Sequence, residues 1–336
     1  MKLPQALEQY SGLKINAASV LQLSDRSWWV ALDSLTDSKA GVLEGKLHLP
    51  ADRTTKLVIF QPGFPGGAAT DFERLHLKGL LLAGYAVFAA RHRGTIINGP
   101  HAEYYINCPQ RQEKAKEKGQ RVLGNGNNSL GDWLVEPLIG IDALGDAFEE
   151  ISLVGHSFGG FAVMLSATLL FKDKLRNHGK VRKVVSLAGV GGRVRSANDR
   201  TIERWHDFIK ADWGATNRIE IGEPSKNVEQ IRSLHHKLHE FASVIPKSVD
   251  VICLSAFGDT EESLDELIPV HEALDVIVSV GHGTLVIDTT QFPDAATGKL
   301  AHEVDLLQTS DLLKLVDPNW KSPAQIVRLG KQGLPD

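Results

Sequence analysis

The sequence predicts an α/β domain with a mostly parallel central sheet and helices on both of its faces. Two observations predict this class. Short apolar, β-rich runs alternate with longer helical patterns along the chain, which is the order expected of a sheet covered by helices. The 336 residues are 42% hydrophobic and 23% charged, which supplies enough apolar material for a sizeable core.

The predicted elements follow one another in a regular order. Strands are predicted at 28–32, 41–50, 56–60, 85–90, 151–154, 183–187, 249–254 and 276–280. Helices are predicted at 70–83, 134–148, 161–171 and 306–316. Because parallel sheets bring their sites to the carboxyl ends of the strands, functional residues are expected just after these strands.

We expect one domain over residues 1–336 that carries two insertions. The polar segment 94–128 predicts a long loop near the site, and its basic run is expected to be a solvated face. Segment 193–247 interrupts two core strands and predicts an inserted helical cap. Its apolar anchors would be three aromatic residues, Trp205, Phe208 and Trp213.

Charge and composition bear on location and partners. A formal charge of −4 gives no support for a nucleic-acid or anionic-membrane partner. The sequence has no apolar run long enough to cross a membrane and no secretory signal, so the expected location is the cytoplasm. Cys253 lies in an apolar run and is expected to be buried, whereas Cys108 lies in a polar loop, so no disulfide is expected. Oligomeric state is not indicated.

Residues 151–160, ISLVGHSFGG, join an apolar strand to a helical run through a G-x-S-x-G pattern centred on Ser157. A sharp strand-to-helix turn would force Ser157 into a strained backbone and lift its side chain above the sheet. Gly155 and Gly159 would leave room for the neighbouring strand and helix, and Gly160 for helix packing. The pattern favours a nucleophilic serine over an ordinary corner residue.

A serine hydroxyl is a weak nucleophile that needs a base, and the base needs an orienting carboxylate. Asp259 and His282 each follow a predicted strand, in the order serine, acid, histidine that such a turn requires. Alone, Asp259 would also fit a helix N-cap and His282 a structural loop histidine. The ordered set of three favours a catalytic triad, which needs no metal or organic cofactor.

Other bases, acids and ligands fit less well. His271 falls inside a predicted helix, and the side chain of His156 should point away from the serine. The competing acids, Asp265 and Glu266, also fall inside a helix. A histidine cluster at 235, 236 and 239 lacks a carboxylate or cysteine, so a solvated cap helix is the favoured interpretation and no metal site is predicted.

Acyl transfer also needs donors for the developing oxyanion. One would be the backbone N–H of Phe158, directly after the nucleophile. The other would come from the glycine-rich loop 61–67, where Pro65 has no N–H and Phe64 is the expected donor. A phosphate-binding loop fits poorly, because the Lys-Ser/Thr step is absent.

Together these residues resemble the α/β-hydrolase superfamily, most closely its esterase, lipase and serine-aminopeptidase-like branches with a helical cap. The resemblance covers most of the chain and implies the α/β-hydrolase fold. It rests on the following residues: Gly63, Phe64, the strand after Gly84, Arg93, Gly94, the Ser157 turn, Asp259 and the Gly-His-Gly at 281–283. The chain departs from the family in having Pro62 before Gly63 where His is common, and Arg91 where Asp is common. It also lacks the His-Gly-Gly-Pro-Gly of proline iminopeptidases.

The resemblance and the triad together predict a serine hydrolase that cleaves carboxylic esters through an acyl-enzyme. Ser157 would be the nucleophile, His282 the general base and Asp259 the orienting acid. Two alternatives stay open: an amidase or peptidase with the same triad, and a non-catalytic ligand-binding protein. The expected partner is a small-molecule ester or amide.

The pocket candidates are the three cap aromatics and Arg93. For Arg91 and Arg93, structural ion pairs are favoured over binding of an acidic substrate.

Overall fold

The computed structural model describes residues 17–33, 42–63, 68–93, 117, 130–189, 243–256, 284–287, 307–322 and 326–329. These residues form one ten-stranded sheet flanked by helices. The strands are β1 Ala17–Ser24, β2 Ser27–Asp33, β3 Val42–His48, β4 Lys56–Gln61, β5 Ala86–Arg91, β6 Glu150–His156, β7 Val181–Leu187, β8 Asp250–Ala256, β9 Thr284–Ile287 and β10 Ile326–Leu329. The α-helices are α1 Ala68–Leu82, α2 Leu130–Leu134, α3 Glu136–Leu144, α4 Phe158–Lys172 and α5 Thr309–Val316.

The strand order is β1-β2-β3-β5-β4-β6-β7-β8-β9-β10. The pairings β1–β2, β2–β3 and β3–β5 are antiparallel, and every later pairing is parallel. Strands β4 and β6 are neighbours, and Gln61 at the end of β4 pairs with Gly155 near the end of β6. The segments that follow these two strands therefore leave the sheet side by side, at its carboxyl edge.

Both faces of the sheet are covered, so the central strands are apolar on both sides. In β4, Leu57 and Ile59 pack toward α2, α3 and α4, whereas Val58 and Phe60 pack toward α1 and α5. Phe60 stacks on Phe72 of α1 with the ring centroids 3.9 Å apart. All of these side chains are buried, which explains why these strands read as continuous apolar runs.

The predicted core strands at 56–60, 85–90, 151–154, 183–187 and 249–254 are confirmed to within two residues at each end. The helix predicted over 134–148 is wrong in detail, because α2 ends at Leu134 and α3 begins at Glu136. Pro137 lies in the first turn of α3, where its missing N–H and fixed φ suit a helix start and disfavour continuation from α2. Strands β1 and β10 were not predicted.

A buried ion pair ties the segment after α5 to the amino-terminal edge of the sheet. Lys183 of β7 is fully buried, and its Nζ donates to Asp250 Oδ2 at 2.7 Å and to the carbonyl of Trp320. Ser322 donates to the same carboxylate through its N–H (2.9 Å) and its Oγ (2.6 Å). Burial lowers the pKa of Lys183, and the Asp250 carboxylate opposes that effect.

The predicted insertions fall mostly outside the described residues. Of segment 94–128 only Glu117 is described, and of the cap segment 193–247 only 243–247. Cys253 is buried as predicted, whereas Cys108 lies outside the described residues. Among the helices that the structure describes, none is long and apolar enough to cross a membrane.

Candidate active site

Ser157 joins β6 to α4 in a backbone conformation that few side-chain-bearing residues adopt. Its φ is 53° and its ψ is −123°. Backbone hydrogen bonds hold this conformation: the Ser157 N–H donates to the carbonyl of Leu187 at 2.8 Å, and the Ser157 carbonyl accepts from the N–H groups of Gly160 (2.8 Å) and Phe161 (3.3 Å). The strain predicted for this position is confirmed, and such strain is typical of functional turns.

The glycines around Ser157 are required by close backbone packing. A Cβ atom on Gly155 would collide with the carbonyl group of Gly159 and lie 2.7 Å from the nitrogen of Gly160. On Gly160 it would lie 2.5 Å from Ser186 Oγ. The steric roles predicted for these glycines are confirmed, because the first turn of α4 passes directly over β6.

The loop after β4 lies against the serine side chain. A Cβ atom on Gly63 would be 2.8 Å from the Cβ of Ser157, and one on Gly159 would be 2.5 Å from the carbonyl oxygen of Pro62. The structure thus brings this loop and the serine turn into contact. Phe64, the next residue and a predicted oxyanion donor, lies outside the described residues.

Phe158, the other predicted donor, is the first residue of α4, and its ring is buried. The N–H groups of a helix's first turn have no partner within the helix and form the positive end of its dipole. An oxyanion beside Ser157 would lie close to this helix end. The geometry of the serine turn therefore suits stabilisation of negative charge at that point.

A buried carboxylate lies beneath the loop after β4. Glu136 is fully buried and accepts from Gln61 Nε2 at 2.6 Å, from the Arg93 N–H at 2.9 Å and from Arg93 Nε at 3.3 Å. His92 Nδ1 lies 2.8 Å from the same carboxylate, and His92 Nε2 donates to the carbonyl of Pro62 at 3.0 Å. This network connects α3 to the loop beside Ser157.

Sequence reasoning missed Glu136 and His92, although a signal for Glu136 was present. Glu136 is the single charged residue in the run WLVEPLIG, and a charged side chain in an apolar helix face is almost always buried against a partner. His92 lies between Arg91 and Arg93, for which the sequence favours structural ion pairs. The partner of each could be found only from the fold, because His92 and Glu136 lie 44 residues apart.

Both arginines lie in buried ion pairs, which confirms the favoured interpretation. Arg93 contacts Glu136 and also donates to the carbonyl of Asp132 at 2.7 Å. Its further prediction as a pocket residue has no test among the described residues. Arg91 contacts Glu73 of α1 at 3.0 Å, on the other face of the sheet.

Glu73 forms a second ion pair with Lys46, whose Nζ lies 2.9 Å from Glu73 Oε2. His48 Nε2 lies 3.6 Å from Glu73 Oε1. Burial acts to raise the pKa of Glu73, but the His48 ring and the charges of Arg91 and Lys46 outweigh it and lower that pKa to about 2. The carboxylate is therefore charged at all ordinary pH values and anchors α1 to β3 and β5.

The other predicted site residues lie outside the described residues: Asp259, His282, Trp205, Phe208 and Trp213. So does the predicted strand 276–280. On the side away from β7, β8 pairs with β9, whose first residue, Thr284, pairs with Cys253 in the middle of β8. His282 comes two residues before β9 in the chain, whereas His302 falls between β9 and α5. Sequence reasoning did not consider His302, because it placed the last core strand earlier.

No family model and no curated protein matches the chain. Solved structures do match it. A lipase in its open form is 13% identical, with a TM-score of 0.53, over 87% of this chain and 99% of that chain. An esterase of Pyrococcus furiosus is 15% identical, with a TM-score of 0.47, over 85% of this chain and 95% of that chain. A thermostable carboxyl esterase from Bacillus coagulans is 14% identical, with a TM-score of 0.45, over 78% and 89%. The chain has the α/β-hydrolase fold, as the sequence predicted.

Proposed function

We propose that this protein is a serine hydrolase that cleaves carboxylic esters through an acyl-enzyme. The observation that carries the proposal is the backbone of Ser157, whose φ of 53° is held at the junction of β6 and α4 with Gly63 packed against its side chain. The pair φ 53°, ψ −123° also lies outside the left-handed helical region, and backbone strain of this kind concentrates at functional sites.

In the proposed reaction, Ser157 Oγ attacks the ester carbonyl while a histidine takes its proton. The backbone N–H groups of Phe64 and Phe158 hold the oxyanion of the tetrahedral intermediate. The histidine returns the proton to the leaving alcohol, and the acyl group remains on Ser157. Water, deprotonated by the same histidine, then attacks the acyl-enzyme and releases the acid.

His282 is the proposed base and Asp259 the proposed orienting acid. The order serine, acid, histidine along the chain supports this assignment. His302 is an alternative base, because it follows β9 in the chain and sites in parallel sheets lie beyond the carboxyl ends of the strands. Both assignments use the same nucleophile.

Ester hydrolysis is proposed over the two alternatives. The lipase that shares the fold supports an ester substrate. An amidase or peptidase would use the same groups but must also protonate a leaving amine. A non-catalytic binding protein would not need the strained serine, which is why it is the weaker alternative.

Covalent labelling and substrate panels test the proposal. A fluorophosphonate probe should modify the folded protein at Ser157, and Ser157→Ala should abolish both labelling and hydrolysis of p-nitrophenyl esters. Failure to label folded protein would overturn the serine mechanism. Turnover of aminoacyl-anilides without turnover of esters would instead favour the peptidase. Stabilisation by esters without turnover would favour the binding protein.

A further inference from the structure

We infer that His92 is a positioning residue for the proposed site: it holds the Pro62–Gly63 peptide beside Ser157 and the ring of Phe158, and Glu136 fixes its own ring. The inference rests on the proposed function and concerns the same site. His92 is fully buried and therefore touches no substrate. Its effect would pass through the Pro62 carbonyl and the Phe158 ring, which it contacts.

The first contact reaches the loop after β4. His92 Nε2 lies 3.0 Å from the carbonyl oxygen of Pro62, and Nε2 must carry a proton because a carbonyl oxygen only accepts. The Pro62 carbonyl and the Gly63 N–H belong to one planar peptide unit, so a bond that fixes one fixes the other. Gly63 packs against the side chain of Ser157 and leads directly into Phe64, the first proposed donor.

The second contact reaches the start of α4. The edge of the His92 ring meets the ring of Phe158 with the centroids 6.2 Å apart and the planes at 75°. Trp133 stacks on His92 at 4.1 Å and makes a similar edge contact with Phe158 at 6.1 Å. Phe158, the second proposed donor, is thus held by the ring that also binds the Pro62 carbonyl.

Glu136 fixes the orientation of the ring. His92 Nδ1 lies 2.8 Å from Glu136 Oε2 and 3.1 Å from Gln61 Nε2, so the second ring nitrogen is held between these two side chains. Gln61 and Arg93 donate to the same carboxylate, so its position is defined by these two residues together with His92. All of these groups are buried, where polar networks are strong and rigid.

The expected functional consequence is selective. Oxyanion donors act on charge that develops in the transition state, so a small displacement of the Phe158 N–H, or of the Gly63 backbone beside Ser157, lowers kcat and leaves KM nearly unchanged. A purely structural contribution of His92 would lower the stability of the protein without this selective effect. The two roles can therefore be separated by kinetics.

Three variants make the test. His92→Phe keeps a ring on Trp133 and removes the donor to Pro62, and His92→Gln places an amide N–H near the position of Nε2. Glu73→Gln is the matched control, because Glu73 is also a buried carboxylate paired with an arginine of the β5 segment but lies on the other face of the sheet. Each variant is assayed for kcat, KM and Tm.

We expect His92→Phe to lower kcat about 100-fold with KM within about threefold, and His92→Gln to recover about tenfold of that loss. Glu73→Gln should lower Tm and keep the wild-type kcat. Wild-type kcat in His92→Phe, or equal losses of kcat in His92→Phe and Glu73→Gln, would overturn the inference. If His92→Phe does not fold, Glu136→Gln replaces it, with the same expected selective loss of kcat.

A spectroscopic measurement keeps the inference separate from the proposed function. If wild-type protein neither labels nor turns over esters, the proposed function fails and kinetics cannot decide. In ¹⁵N-histidine-labelled wild-type protein, we expect His92 Nε2 to carry a slowly exchanging proton. A His92 ring with no proton on Nε2 would overturn the inference whatever the activity.

Discussion

A Cβ atom on Gly159 would lie 2.5 Å from the carbonyl oxygen of Pro62, so the first turn of α4 and the loop after β4 pack backbone against backbone. This contact brings the strained serine and the glycine-rich loop together. It also leaves no side chain that could rotate away to make room.

Gly159→Ala is therefore expected to destabilise the fold by about 3 kcal/mol, at the upper end of overpacking costs. Gly179→Ala is the control, because no heavy atom would lie within 4 Å of its Cβ. Urea unfolding of both variants measures the difference. Equal stabilities of the two would show that the contact at Gly159 is easily relaxed.

At position 157, a glycine variant should be more stable than an alanine variant, which is the reverse of the usual order of stability. Glycine normally destabilises relative to alanine by about 0.5–1 kcal/mol, but it accepts a φ of 53° without strain. We expect Ser157→Gly to be more stable than Ser157→Ala by about 1 kcal/mol, with hydrolysis lost in both. Denaturant unfolding of the two variants measures this difference in stability. If the alanine variant were the more stable, the backbone at position 157 would not be strained.

The identity of the base can be tested with two matched histidine variants. Under the proposed mechanism, His282→Ala should lower kcat about 1,000-fold, within the range for general acid–base catalysis, and His302→Ala should keep kcat within about threefold. The measurement is kcat for ester hydrolysis by each of the two variants. The opposite outcome would assign the base to the segment between β9 and α5 and remove His282 from the triad.

Glu73 should make stability dependent on pH in the acid range. Its pKa is about 2 in the folded protein against 4.5 ordinarily, so the unfolded chain binds more protons between those values. The stabilisation is present above pH 4.5 and is lost as the pH falls toward 2, by about 3 kcal/mol in total. Glu73→Gln should flatten this part of the profile of unfolding free energy against pH. An unchanged slope would show that other groups cause the loss.

Local signals predicted the centre of the fold well and its edges poorly. Strand β6 and the turn at Ser157 are encoded in ten consecutive residues, so pattern and structure agree there. The pairing of β9 with β8 depends on contacts across a long stretch of chain, and no local pattern separates 276–280 from Thr284–Ile287. The network of His92 and Glu136 was missed for a similar reason: a charged residue in an apolar run signals burial, but its partner is set only by the fold.

Lys183 is synthesised long before the groups that bury it. Its partner Trp320 lies 137 residues later in the chain, and Ser322 completes the ring of donors around Asp250. At the pace of a ribosome this interval is about 10 seconds. Until then, the Lys183 ammonium lacks the Trp320 carbonyl to which it donates. The contacts that Trp320 and Ser322 make with Lys183 and Asp250 can therefore form only after this part of the chain has been synthesised.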